Sequence, residues 1–64
     1  MYLYTKTHTP DLDHLEMDIK SSSLAGYYLY LRWDDSDINE LRVFLTTELN
    51  EEEKYLLDNL VAQI

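Results

Sequence analysis

Residues 27–33 read Tyr-Tyr-Leu-Tyr-Leu-Arg-Trp, and residues 40–46 read Glu-Leu-Arg-Val-Phe-Leu-Thr. Both runs are rich in aromatic or branched side chains, which suit a pleated, half-buried strand. Successive strand residues point to opposite faces. The first run therefore predicts Tyr27, Leu29, Leu31 and Trp33 on one side, and Tyr28, Tyr30 and Arg32 on the other. In the second run Leu41, Val43 and Leu45 share a face. Asp34-Asp35-Ser36-Asp37 stands between the runs. Asp and Ser favour turns because their side chains bond back to nearby backbone N–H groups. So short a separation predicts an antiparallel hairpin.

Beyond the hairpin, Asn50 followed three residues later by Glu53 matches a helix capping box. Glu51, Glu52 and Glu53 fall in the first turn, where the helix dipole favours negative charge. Leu56, Leu57, Leu60, Val61 and Ile64 then recur at helical spacing. Before the hairpin, Tyr2 to Thr7 (YLYTKT) reads as a first strand. Thr9 is a favoured N-cap, Pro10 suits a first helical position, and Leu12, Leu15 and Ile19 form one apolar stripe. These features predict a helix over 10–22. Leu15, Met17 and Ile19 also alternate with Glu16, Asp18 and Lys20, so a strand is the competing reading.

The expected fold is α+β, a β-α-β-β-α two-layer domain spanning 1–64. Its three-stranded, antiparallel-containing sheet carries the helices on one face. A β-meander with one C-terminal helix is the alternative if 10–22 is extended. In the two-layer fold one sheet face stays uncovered, carrying Tyr28, Tyr30 and Phe44 beside Arg32. Tyr2 and Tyr4 join it if the first strand pairs in that register.

Composition narrows the function classes. The chain has 64 residues, a formal charge of −8, thirteen acidic against five basic side chains, and no Cys. Without Cys there are no disulfides, thiolate ligands or cysteine nucleophiles, and a reducing compartment suits the chain. No apolar run approaches the ~20 residues of a membrane span, and the N-terminus lacks the basic-then-apolar order of a signal peptide. The expectation is a soluble protein with no membrane partner. Nucleic-acid backbones are contacted through clustered Lys and Arg, so direct nucleic-acid binding is not expected. Apolar residues make up 45% of the chain, too many for a disordered one.

Groups able to do chemistry are few. His8, His14, Asp11 and Asp13 lack the ligand number and spacing of a structural zinc site. Asp35, Asp37 and Asn39 imitate the start of a calcium loop, but Glu40 stands where Gly is required and Thr46 where the bidentate Glu belongs. Ser21, Ser22 and Ser23 lack the glycines of a nucleophile elbow. So small a layered fold leaves little room for a ligand cleft of ~300 Å³. The expectation is a chain without enzymatic activity, cofactor or metal.

Residues 27–64 resemble small bacteriophage virion-associated or accessory proteins. The shared features are Trp33-Asp34 closing an aromatic strand, Leu41-Arg42-Val43-Phe44-Leu45, and the Leu-rich segment from Leu49 to Val61. The resemblance implies a viral structural or accessory role, in the virion or the host cytoplasm, and carries no catalytic or ligand residue. Tyr and Trp are enriched at interfaces, and small cores often rely on association. The expected function is therefore self-association or docking on a larger assembly through Tyr28, Tyr30, Arg32 and Phe44. The alternative is an acidic inhibitor of the anti-restriction or anti-CRISPR type. It would occupy a host protein's nucleic-acid site with Asp34, Asp35, Asp37, Glu51, Glu52 and Glu53.

Overall fold

A computed structural model describes residues 1–34 and 39–64. Strand β1 (Tyr2–Thr5) leads to helix α1 (Leu12–Lys20) and a single 3₁₀ turn (Ala25–Tyr27). Strands β2 (Tyr28–Asp34) and β3 (Glu40–Leu45) follow, then helix α2 (Glu51–Ala62). The fold is α+β, in the expected β-α-β-β-α order, and 10–22 contains a helix rather than a strand. The expected turn over 34–37 falls, from Asp35 on, outside the described residues.

The sheet order is β1-β3-β2, with β3 antiparallel to both neighbours. β2 and β3 thus form the expected antiparallel pair, while β1 adds to the far edge of β3. Leu41 and Val43 of β3 are buried and meet Leu15 and Ile19 of α1, Leu24, and Leu57 and Val61 of α2 in one core. Because both helices share that core with the same face of β3, both lie on one side of the sheet.

Local chemistry explains the elements. In α2 the Asn50 side chain accepts from the Glu53 N–H at 2.8 Å, and Glu53 accepts from the Asn50 N–H at 3.0 Å. Such a box satisfies two donors the helix itself leaves unpaired. Asn50→Ala should therefore lower stability by about 1 kcal/mol. A urea titration followed by circular dichroism checks this, and an unchanged midpoint would contradict it. In α1 the N-cap is Asp11, not Thr9: the Asp11 carboxylate accepts from the His14 N–H at 3.0 Å. The helix accordingly starts two residues later than the Thr9-Pro10 pair suggests, and Pro10 packs as a buried residue ahead of it. At the other end Ser22 Oγ donates to the Ile19 carbonyl at 2.7 Å and accepts from the Leu24 N–H at 3.1 Å. The serine hydroxyl thus helps to turn the chain out of α1 and set Leu24 into the core.

Side chains of β1 latch onto α2. The Tyr2 hydroxyl accepts from the Leu49 N–H at 2.7 Å, and the Tyr4 hydroxyl donates to Asp58 at 2.7 Å. Lys6 Nζ donates to the Val61 carbonyl at 3.0 Å, near the end of the helix. These contacts join residues more than forty positions apart. They fix the register in which Tyr2 lies opposite Val43 and Tyr4 opposite Leu41.

Candidate docking surface

Directly opposed residues on neighbouring strands share a face, so the register sorts every strand position. Leu41 and Val43 mark the core side. With them lie Tyr2 and Tyr4 of β1, and Leu31, Trp33 and Tyr28 of β2. The open side holds Tyr30 opposite Phe44, then Arg32 opposite Arg42 with Leu3 beyond, then Asp34 opposite Glu40 with Thr5 beyond.

This placement retains Tyr30, Arg32 and Phe44 on the uncovered face and removes Tyr28 from it. The pairing of β2 with β3 shifts by one between Tyr28 and Tyr30, leaving Leu29 as the extra residue of a bulge. A one-residue slip turns a strand over. Tyr28 therefore falls on the helix side, opposite Leu45, where Lys20 of α1 stands 5.7 Å from the ring centroid. Burial, with the Glu16 carboxylate beside it, pushes the Tyr28 hydroxyl above the usual tyrosine pKa. Leu29, expected in the core, is instead exposed. Tyr2 and Tyr4 are likewise core-side, and Leu3 takes the open position.

On the open face the Tyr30 and Phe44 rings stack, with centroids 4.3 Å apart and planes 16° apart. Tyr30 and Leu3, on the two edge strands, are each 52% exposed. Arg42 Nε lies 2.6 Å from the Glu40 carboxylate. Arg32 has no ion-pair partner among the described residues. The sequence reading missed Leu3, Arg42 and Glu40. The last two were legible as the polar half of the 40–46 alternation; Leu3 depended on the register of β1.

The acidic residues do not gather in one place among the described residues. Asp34 sits at the end of β2, next to the arginine row. Glu51 and Glu52 are exposed at the start of α2, and Glu53 is engaged in the cap. Glu51 lines a groove with Tyr2, at the diagonally opposite corner of the sheet from Asp34. Asp35 and Asp37 lie outside the described residues.

That groove has a volume of about 370 Å³, larger than so small a fold is expected to form. It is open, lying between β1 and the first turns of α2. Several of its polar groups are already paired. Lys54 is bonded to Asp58 and stands 5.5 and 5.1 Å from the Tyr2 and Tyr4 ring centroids. Burial, and then the Asp58 carboxylate, hold the Tyr4 hydroxyl far above the ordinary tyrosine pKa. The Lys54 and Tyr4 hydrogen bonds hold Asp58 below the usual carboxylate value. Both shifts run away from neutrality, whereas acid–base catalysis needs groups brought toward it. The cluster acts as a latch between β1 and α2.

The histidines are separately engaged, His8 with the Ile64 carbonyl at 2.7 Å and His14 with Asp18 at 3.1 Å. Among the described residues no three His, Asp or Glu side chains group as a metal site would require, and no helix is long and apolar enough to cross a membrane. Comparison with protein-family models, curated proteins and solved structures gave no match.

Proposed function

We propose that this chain is a non-enzymatic, protein-binding module of the phage structural or accessory type, acting in the virion or host cytoplasm through the open face of its sheet. The observation that carries this reading is the stacked Tyr30–Phe44 pair beside exposed Leu3, with Arg32 and Arg42 alongside. Aromatic residues and Arg are the types that concentrate binding energy at protein interfaces. The helices cover only the other face, so these rings have no partner layer within the chain. The phage assignment draws its support from the resemblance over residues 27–64. A nucleic-acid mimic asks for a continuous acidic strip, and the corner-to-corner separation of Asp34 from Glu51 favours docking instead.

A photo-crosslinker tests the reading directly. p-Benzoylphenylalanine placed at Tyr30 should give protein adducts on irradiation in the cells that make the chain. The same probe at Met17, exposed on α1 away from the sheet, should give few. Equal adduct yields at the two positions, or none at position 30, would overturn the reading.

A further inference from the structure

The groove between β1 and α2 lies at a free edge of the sheet. In the order β1-β3-β2, strand β1 has a neighbour on one side only. The Lys6 N–H donates at 3.1 Å to the carbonyl of Asn39, the residue that continues the β1–β3 register opposite it. In an antiparallel pair such hydrogen-bonded positions alternate with positions whose N–H and C=O turn the other way. Tyr2, Tyr4 and Lys6 therefore bond to β3, and the backbone N–H and C=O of Leu3 and Thr5 point outward from the sheet. The other free edge, along β2, is interrupted by the bulge at Leu29, which blunts an edge against pairing.

The two layers also differ in width. Helices α1 and α2 touch each other over one face of the sheet. Two helices side by side are about 20 Å across, while three strands span about 14 Å. The helix layer thus overhangs the sheet by about the width of one strand, and the groove lies under that overhang. Glu51, Lys54, Tyr55 and Asp58 recur at helical spacing along one flank of α2 and wall the groove, with Tyr2 and Leu49 beside them. Lys54 and the Tyr4 hydroxyl hold Asp58. Glu51 is exposed, with no hydrogen bond or ion pair among the described residues, and Tyr55 is 71% exposed.

A fourth strand added to β1 sets alternate side chains against this wall. The wall states their chemistry. Tyrosine rings suit an apolar stem and a cationic head, and Glu51 suits the charge that head carries. The formal charge of −8 draws a basic partner. A second copy of this chain fits poorly. Pairing β1 with its own copy brings two overhanging α2 flanks together, with Glu51 and Asp58 on each. We propose that β1 accepts an extended, arginine- or lysine-bearing segment of another protein as a fourth strand, its basic side chains seated in the groove against Tyr2, Tyr55 and Glu51. This edge is separate from the open face, and the two docking surfaces stand or fall independently.

The probe is a capped peptide, Thr-Val-Arg-Val-Arg-Val-Thr, titrated to about 1 mM into the nitrogen-15-labelled chain and followed by amide chemical shifts. Saturable shifts are expected, largest at Leu3 and Thr5. The same peptide with glutamate in place of arginine should bind at least tenfold more weakly, and Glu51→Lys should reverse that preference. Leu3→Pro removes an outward N–H and none that bonds to β3, a placement proline tolerates in an edge strand. It should weaken binding of the arginine peptide at least tenfold while the circular dichroism spectrum stays that of the wild type. Should Leu3→Pro not fold, Glu51→Lys, at an exposed position, still decides the matter. The absence of saturable shifts to about 1 mM overturns the proposal. So do shifts centred on Tyr30 and Phe44, equal affinity for the two peptides, or a folded Leu3→Pro chain that binds as the wild type does.

Discussion

Leu41→Ala should remove a large share of the chain's stability and lower its urea midpoint far more than any surface substitution. Leu41 sits on the central strand, fully buried, opposite Tyr4 on one side and Trp33 on the other. It is where the sheet meets the core shared by both helices. Truncating a buried Leu costs about 2–5 kcal/mol through lost transfer energy and the cavity left behind. A domain of this size is stable by roughly 3–10 kcal/mol in all. A site contacted by both edge strands has little freedom to collapse, which places the cost toward the upper end. Leu3→Ala is the matched control, because Leu3 faces the open side and is 52% exposed. It should move the urea midpoint little. Far-ultraviolet circular dichroism across a urea series measures both. A loss for Leu3→Ala as large as that for Leu41→Ala would contradict the placing of Leu3 on the open face.

The contrast between these two leucines shows what the sequence could and could not reveal. Leu41 belongs to an alternating run on a strand without irregularity, so its face follows from period two alone. The same rule misplaces Tyr28 and Leu29, because the bulge between Tyr28 and Tyr30 inserts one residue and turns the strand over. Nothing local announces that bulge: Tyr-Leu-Tyr-Leu reads as unbroken alternation. Leu3 was hidden for a different reason. Its face is set by β1 docking on α2 through Tyr2 and Tyr4, contacts between opposite ends of the chain that no short window contains. Local signals succeeded where the partner groups are also local, as in the Asn50–Glu53 box. At α1 two local signals competed. Asp11 won over Thr9, in keeping with the higher rank of Asp as an N-cap. The uncovered face was therefore legible in Tyr30, Arg32 and Phe44, which lie beyond the bulge and share one register.

Tyr4→Phe should weaken the fold at neutral pH yet strengthen it, relative to wild type, in strong alkali. At pH 7 the Tyr4 hydroxyl donates to the ionised Asp58 carboxylate at 2.7 Å, and hydrogen bonds to charged groups contribute about 1.5–3 kcal/mol. Removing the hydroxyl forfeits that contribution, although Lys54 still holds Asp58. The alkaline behaviour follows from linkage. The folded-state pKa of Tyr4 is raised, by burial and by the carboxylate beside it, above the ordinary value of 10.0. The stabilisation is thus fully present below pH 10 and is lost progressively as the pH climbs above it, because the unfolded chain releases a proton that the folded chain retains. Phe has no proton to release, so the stability curves of the two proteins should cross above pH 10. Denaturation midpoints measured from pH 7 to 12 test the crossing. Absorbance at 295 nm should show that one tyrosine ionises only as the wild-type fold is lost, and that this late component is missing from Tyr4→Phe. Parallel stability curves across the whole range would show that the Tyr4–Asp58 contact does not tie β1 to α2.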